Sequence, residues 1–150
     1  MITYKTMVQE VGLTTYQKET AIPRAKISSS QNANDYFRQI WEEDLLIREC
    51  MYALFLNRAN NVTRFALISK GGTSGTVVDI KMISRLAISV LAHSVILAHN
   101  HPSGNLNPSD SDQQITTKIK EGLKHFDIEV LDHIILTKES YYSFTDEGLI

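Results

Sequence analysis

Cysteine is almost missing from this chain: Cys50 is the single one among 150 residues. That excludes an internal disulfide and any metal site built from several thiolates, and it suits a reducing compartment. An excess of one charge is missing too. Fifteen Lys and Arg stand against 17 Asp and Glu, for a formal net charge of −2. With no run of Lys or Arg either, no electrostatic footprint for nucleic acid is announced. The opening residues, MITYKTMVQEVGLTTYQKE, have no apolar core for a signal peptide, and no apolar run is long enough to span a membrane. A cytoplasmic protein with no membrane partner is the expectation. Repeats and low-complexity segments are absent as well. What remains is ordinary for a globular protein: 43% apolar and 21% charged residues, enough for one domain with a real core and too few for two.

The informative stretch is ILAHNHPSGNLNPSDSD, residues 96–112. The apolar run Val95-Ile96-Leu97-Ala98 ends abruptly in His99-Asn100-His101-Pro102. On a strand, alternation sends His99 and His101 to the same side, where two imidazoles can share one metal ion. Pro102 ends the strand because it has no N–H to give. Ser103-Gly104-Asn105 and Asn107-Pro108 form turns that lead to Ser109 at the head of a helical pattern. Ser109-x-x-Asp112 has the spacing of a capping box, and a capped first turn also directs Asp112 back over the histidines. Two imidazole nitrogens and one carboxylate oxygen suit zinc, and three protein ligands leave a fourth position for water, as in a catalytic site.

Taken in order, residues 1–28 read as a peripheral N-terminal segment, with one possible short strand at Val8, Val11 and Leu13. The main domain then occupies residues 29–150. Ser30 to Trp41 is helical, with Ala33, Phe37, Ile40 and Trp41 on one face. Leu45-Leu46 either extends that helix or leads out of it. Cys50–Leu56 is an apolar strand, Asn57–Asn61 a turn, and Val62–Ser69 its hairpin partner. Residues 70–75 form a loop. Its glycines invite a phosphate-loop reading, which fails because the required Lys and the helix directly after it are missing. Asp79 caps a helix whose apolar stripe is Ile80, Ile83, Ala87, Val90 and Leu91. A further amphipathic helix runs from Ser109 to about Phe126, burying Ile115, Ile119, Leu123 and Phe126. Val130–Leu136 and Tyr141–Phe144 close the chain as strands. The class is α/β (α+β), a single domain with a mixed central sheet flanked by helices.

The remaining acids and histidines carry competing readings. Glu49 is either a solvated strand end or the base that a zinc hydrolase needs, and spacing leaves both open. Unlike Glu42, Glu43 and Asp44, it is fixed next to the buried sheet. His93 and His125 read as residues at helix C-termini, where the dipole favours a cation. His133 either supports the site or is a plain strand residue, and the second reading is the more economical. Ser-His-Asp catalysis with Ser103 or Ser109 lacks a nucleophile elbow. The zinc deaminase signature fails for want of a cysteine pair.

With these residues in view, the chain resembles a known family. His99-Asn100-His101-Pro102, Ser109-x-x-Asp112 and the upstream Glu49 are similar to the JAB/MPN metalloprotease motif, often called JAMM. HNHPSGNLNPSDSD, with LDHIIL at 131–136 and YYSF at 141–144, resembles the RadC branch, over roughly residues 28–150. The resemblance implies a JAB/MPN-like, cytidine-deaminase-like fold. It further implies zinc on His99, His101 and Asp112, with Glu49 as acid/base and Ser109 helping to hold the reacting carbonyl. Asn100 stands where the peptidases of the superfamily usually carry Ser or Thr. The expected function is a zinc-dependent hydrolase, a metallopeptidase or isopeptidase that uses a metal-activated water on a peptide or protein substrate. Two rival expectations are a RadC-type accessory protein associated with DNA repair, against which the net charge speaks, and a metal-bearing scaffold without turnover.

Overall fold

A computed structural model describes residues 24–42, 44–71 and 77–150. The possible strand at Val8, Val11 and Leu13 and most of the glycine loop fall outside them. The elements run α1 (Ser30–Ile40), β1 (Cys50–Leu56), β2 (Val62–Lys70), α2 (Ile80–Ser89), β3 (Ser94–Asn100), α3 (Asp110–Lys124), β4 (Glu129–Leu136) and β5 (Tyr141–Ser143). The five strands form one mixed sheet in the order β2-β1-β3-β4-β5. The β3–β4 pair is parallel and the other pairs are antiparallel.

Alternation along the strands divides the core in two. Tyr52, Leu54, Leu56, Ile96, Ala98, Ile134 and Leu136 face α1, where they meet Ala33, Phe37 and Ile40. Ala53, Phe55, Val95, Leu97 and Val130 face the other way, onto Ile83 and Ala87 of α2 and Ile119 and Leu123 of α3. Each fully buried Leu, Ile or Phe contributes about 1.5–3 kcal/mol by leaving water. β1 and β3 are buried on both faces, which explains their unbroken apolar runs.

β4 is irregular at one point. Val95 pairs with Val130, but Ile96 pairs with Asp132, so β4 carries one extra residue, a bulge at Leu131. Bulges re-aim the side chains beyond them. Here Val130 and His133, three residues apart, reach the same face, which a regular strand forbids.

Each helix is started by its own side chain. Ser29 Oγ accepts from Asn32 N, Asp79 from Lys81 N, and Ser109 from Asp112 N in a complete capping box. The helix ends depart from the periodicity. Apolar spacing puts Leu91 on the buried stripe of α2 and Phe126 on that of α3, yet they are 88% and 54% exposed. Both helices stop early in a backward hydrogen bond over five residues, Ala92 N to Ala87 O and Ile128 N to Leu123 O. Leu91 and Asp127 turn left-handed to allow it, with φ of 51° and 56°. The buried pairs Ala87–Ala92 and Leu123–Ile128 supply the apolar contact of this ending, while Leu91 and Phe126 point outward. His93 is likewise not part of α2. It is exposed, its N–H donates to Leu56 O, and its carbonyl accepts from Glu129 N. His125 is the C-cap of α3, as its position suggests. Leu45 and Leu46 lie in a turn leading out of α1.

Residues 24–28 are tied to the β1–β2 turn. Ile27 is buried, its N–H donates to Asn60 O, and Val62 N donates to Ala25 O.

Candidate metal centre

The site sits at the C-terminal end of β3, on the face covered by α2 and α3. His99 and His101 leave the strand on the same side, and the capped first turn of α3 brings Asp112 over them. His99 Nε2 is 2.9 Å from His101 Nε2. Asp112 Oδ1 lies 3.3 Å from His99 Nε2, and Asp112 Oδ2 lies 3.3 Å from His101 Nε2. Donor atoms about 2.0–2.1 Å from a tetrahedral zinc stand about 3.3 Å apart. Here each carboxylate oxygen meets one histidine. One ligand atom from each of the three residues lies within 4.8 Å of the others, close enough to share an ion. Among the described residues these three are the group that could hold a metal ion.

The hydrogen bonds around the triangle aim lone pairs inward. His101 Nδ1 lies 2.6 Å from Asn105 O. A carbonyl only accepts, so Nδ1 carries the hydrogen and a neutral His101 turns its Nε2 lone pair to the centre. Asp112 Oδ2 accepts the Ser109 N–H at 2.7 Å, which fixes the carboxylate plane. Electrostatics agree with a cation-seeking set. Burial works against the Asp112 anion, but bonds to His101 and His99 outweigh it and hold the carboxyl far below the usual range. Burial lowers the affinity of His101 for a proton, yet the Asp112 and Asn105 oxygens and nearby Glu49 raise its pKa overall.

Glu49 belongs to the same place. Met51 pairs with His99, so extending the register by two residues sets Glu49 opposite His101 on the same face. Both line an open cleft of about 700 Å³, with Val77, Ser109 and Asp112 among its other walls. Ser109 is exposed at the rim, with its Oγ accepting from Asp112 N at 3.1 Å. All five residues singled out in the sequence therefore line one cleft.

Two features escaped sequence reasoning. Asn100 is fully buried and points to the opposite face from the histidines. Its Oδ1 accepts from Cys50 N at 2.8 Å, and its Nδ2 donates to Leu45 O and Arg48 O at 2.9 Å each. It clamps the segment that carries Glu49. A hydroxyl could not make all three bonds, for it has one proton to give. The second feature is His133, also fully buried. Its Nε2 is 2.7 Å from His99 Nδ1, its Nδ1 is 2.6 Å from Thr116 Oγ1, and its ring stacks on Phe144. Burial, and then the neighbouring His99, push its pKa well below the ordinary value, so it is neutral. Its position beside Asp132 hinted at such a role, but regular alternation from Val130 would have sent it to the other face.

Known proteins resemble this chain. A family model described as a RadC-like JAB domain matches residues 27–149. A UPF0758 protein of Flavobacterium johnsoniae is 45% identical over 131 residues, covering 87% of this chain and 56% of the relative. A UPF0758 protein of Fusobacterium nucleatum subsp. nucleatum is 41% identical over 126 residues, covering 83% and 53%. One from Porphyromonas gingivalis is 39% identical over 106 residues, covering 70% and 47%. The chain thus spans about half the length of the curated relatives it matches. Match and fold together, with the histidine strand and capped helix in their expected places, make this chain a member of the RadC-like JAB domain family.

Proposed function

We propose that the protein is a metal-dependent hydrolase that holds zinc through His99, His101 and Asp112 and cleaves an amide in a peptide or protein. The observation that carries this reading is the convergence of one ligand atom each from His99, His101 and Asp112, all within 4.8 Å of one another, beside a cleft that Glu49 also lines. Such a set repels itself unless a cation stands among it. A metal bound there supplies a Lewis acid that polarises a carbonyl and acidifies water. The rest falls to the chain. Glu49, anchored by its carbonyl to Gly71 N at 2.8 Å, takes the proton of the attacking water and returns it to the leaving amine. The Ser109 oxygen already accepts from Asp112 N, so its own hydrogen is left to donate to the reacting carbonyl. Val77, Val78 and Ile115 give the cleft an apolar side for the substrate chain. Amide as the substrate class is supported by the likeness to the JAB/MPN metalloproteases.

The test is metal analysis of the purified protein, followed by a peptide-library cleavage assay with and without chelator. His101→Ala should stay folded and lose most of its metal. Glu49→Gln should keep the metal and lose about two to four orders of magnitude in turnover, because the amide cannot accept a proton. A full equivalent of zinc in His101→Ala would remove the metal assignment. Unchanged hydrolysis by metal-loaded Glu49→Gln would remove the mechanism.

A further inference from the structure

A neutral histidine can ligate through Nε2 only when its proton sits on Nδ1. For His99, nothing at the centre itself enforces that form, but a chain of bonds behind it does. Thr116 has one hydroxyl proton, and Oγ1 donates it to the Asp112 carbonyl oxygen at 2.6 Å, one turn back in α3. A buried helical threonine often does this for no further reason. Here the same Oγ1 also lies 2.6 Å from His133 Nδ1. With its proton committed, the hydroxyl can only accept, so His133 Nδ1 carries a hydrogen. His133 Nε2 is then a bare lone pair 2.7 Å from His99 Nδ1. Two lone pairs face each other at that distance only with a cation between them. This buried nitrogen pair, away from the carboxylate, has room for nothing larger than a proton, so His99 Nδ1 carries a hydrogen as well. Its Nε2 lone pair is left pointing at His101 and Asp112.

We infer that Thr116 and His133 are positioning residues that fix the proton of His99 on Nδ1, through a relay running from the Asp112 carbonyl to His99. This role rests on the metal-centre reading and deepens it. The relay closes on itself. Asp112 anchors one end with its main-chain oxygen and meets His99 Nε2 at the other with its carboxylate, 3.3 Å away. Phe144, stacked on the His133 ring at 4.7 Å between centroids, keeps the plane of the middle member. One helix turn therefore orients both a carboxylate ligand and, by way of β4, an imidazole ligand. Partners of this kind behind metal-bound histidines commonly govern affinity.

Thr116→Val and Thr116→Ser separate the relay from packing. Valine keeps the shape and removes the acceptor. His133 then gains by moving its hydrogen to Nε2, which forces the hydrogen of His99 onto the nitrogen that should ligate. Zinc affinity, read by competition with a chromophoric chelator, should weaken about 10–100-fold in Thr116→Val and stay within about threefold of wild type in Thr116→Ser. A direct reading comes from long-range ¹H–¹⁵N spectra of the imidazoles in the metal-free wild type, near pH 8, above the ordinary imidazole range. Both His99 and His133 should be the Nδ1–H form. A hydrogen on His133 Nε2, or wild-type zinc affinity in Thr116→Val, overturns the relay. Should Thr116→Val not fold, the wild-type spectrum decides alone. Two Nδ1–H rings in a wild type without affinity for zinc would uphold the relay and overturn the metal reading.

Discussion

Asn100 and Asp112 show how much single side chains carry here. The three bonds of Asn100 join β3 to the segment that presents Glu49, and one of them satisfies the Cys50 N–H inside the sheet. Removing them leaves buried polar groups without partners, which costs about 1–3 kcal/mol for each group that water cannot reach. Asn100→Ala should therefore lower the urea midpoint clearly, whereas a surface change such as Lys138→Ala should leave it in place. Asp112 predicts a pH dependence for the metal-free protein. Its folded carboxyl lies below the unfolded value, so its contribution is present above about pH 4 and lost as pH falls. His101 is raised, so its contribution is present below about pH 6.5 and lost as pH rises through its folded pKa. Both apply only between those limits. The stability difference between wild type and Asp112→Asn, measured by urea unfolding in chelator, should peak at about pH 5–6 and shrink on either side. A difference that is flat across this range would mean that the pair contributes nothing to the metal-free fold. The motif made Asp112 legible because capping and ligation ask for the same spacing. Asn100 was legible only as a departure from a Ser or Thr, since its partners lie about fifty residues away.

At the scale of elements, the caps that start α2 and α3 were readable, and the left-handed turns that follow these helices were not. Asp79 and Ser109 advertise their caps in side-chain chemistry. Neither α2 nor α3 is followed by the glycine that usually marks a left-handed stop, so the apolar periodicity ran on through Leu91 and Phe126. Leu91 holds φ at 51° with 88% of its surface exposed, so its side chain gains little and its backbone is strained. A left-handed non-glycine residue costs about 1–2 kcal/mol, against about 0.5–1 kcal/mol for the extra chain freedom of glycine. Leu91→Gly should stabilise the fold by up to about 1 kcal/mol and leave metal binding unchanged. Thermal unfolding with and without zinc measures both. A lower melting temperature would show that Leu91 is held by contacts its exposure does not reveal.

Across the whole molecule, composition and periodicity were enough for the class, the order of elements and the β1–β2 hairpin, but not for the parallel pairing at the middle of the sheet. His99, His101, Asp112, Thr116 and His133 all come from the continuous stretch β3–α3–β4, and Glu49 alone arrives from the β1 side. The parallel β3–β4 pairing is what joins the two halves of that stretch, and it cannot be read from alternation because both strands are buried. The bulge at Leu131 then sets what β4 will tolerate over time. Losing that one residue would turn the strand regular, with Val130 and His133 still on the same face and every later pairing intact. Losing one between His133 and Leu136 would turn the residues beyond it over, exchanging the faces of the sheet. Among descendants of this chain, then, β4 can shorten by a residue at its bulge, but not farther along, where every change must be a substitution.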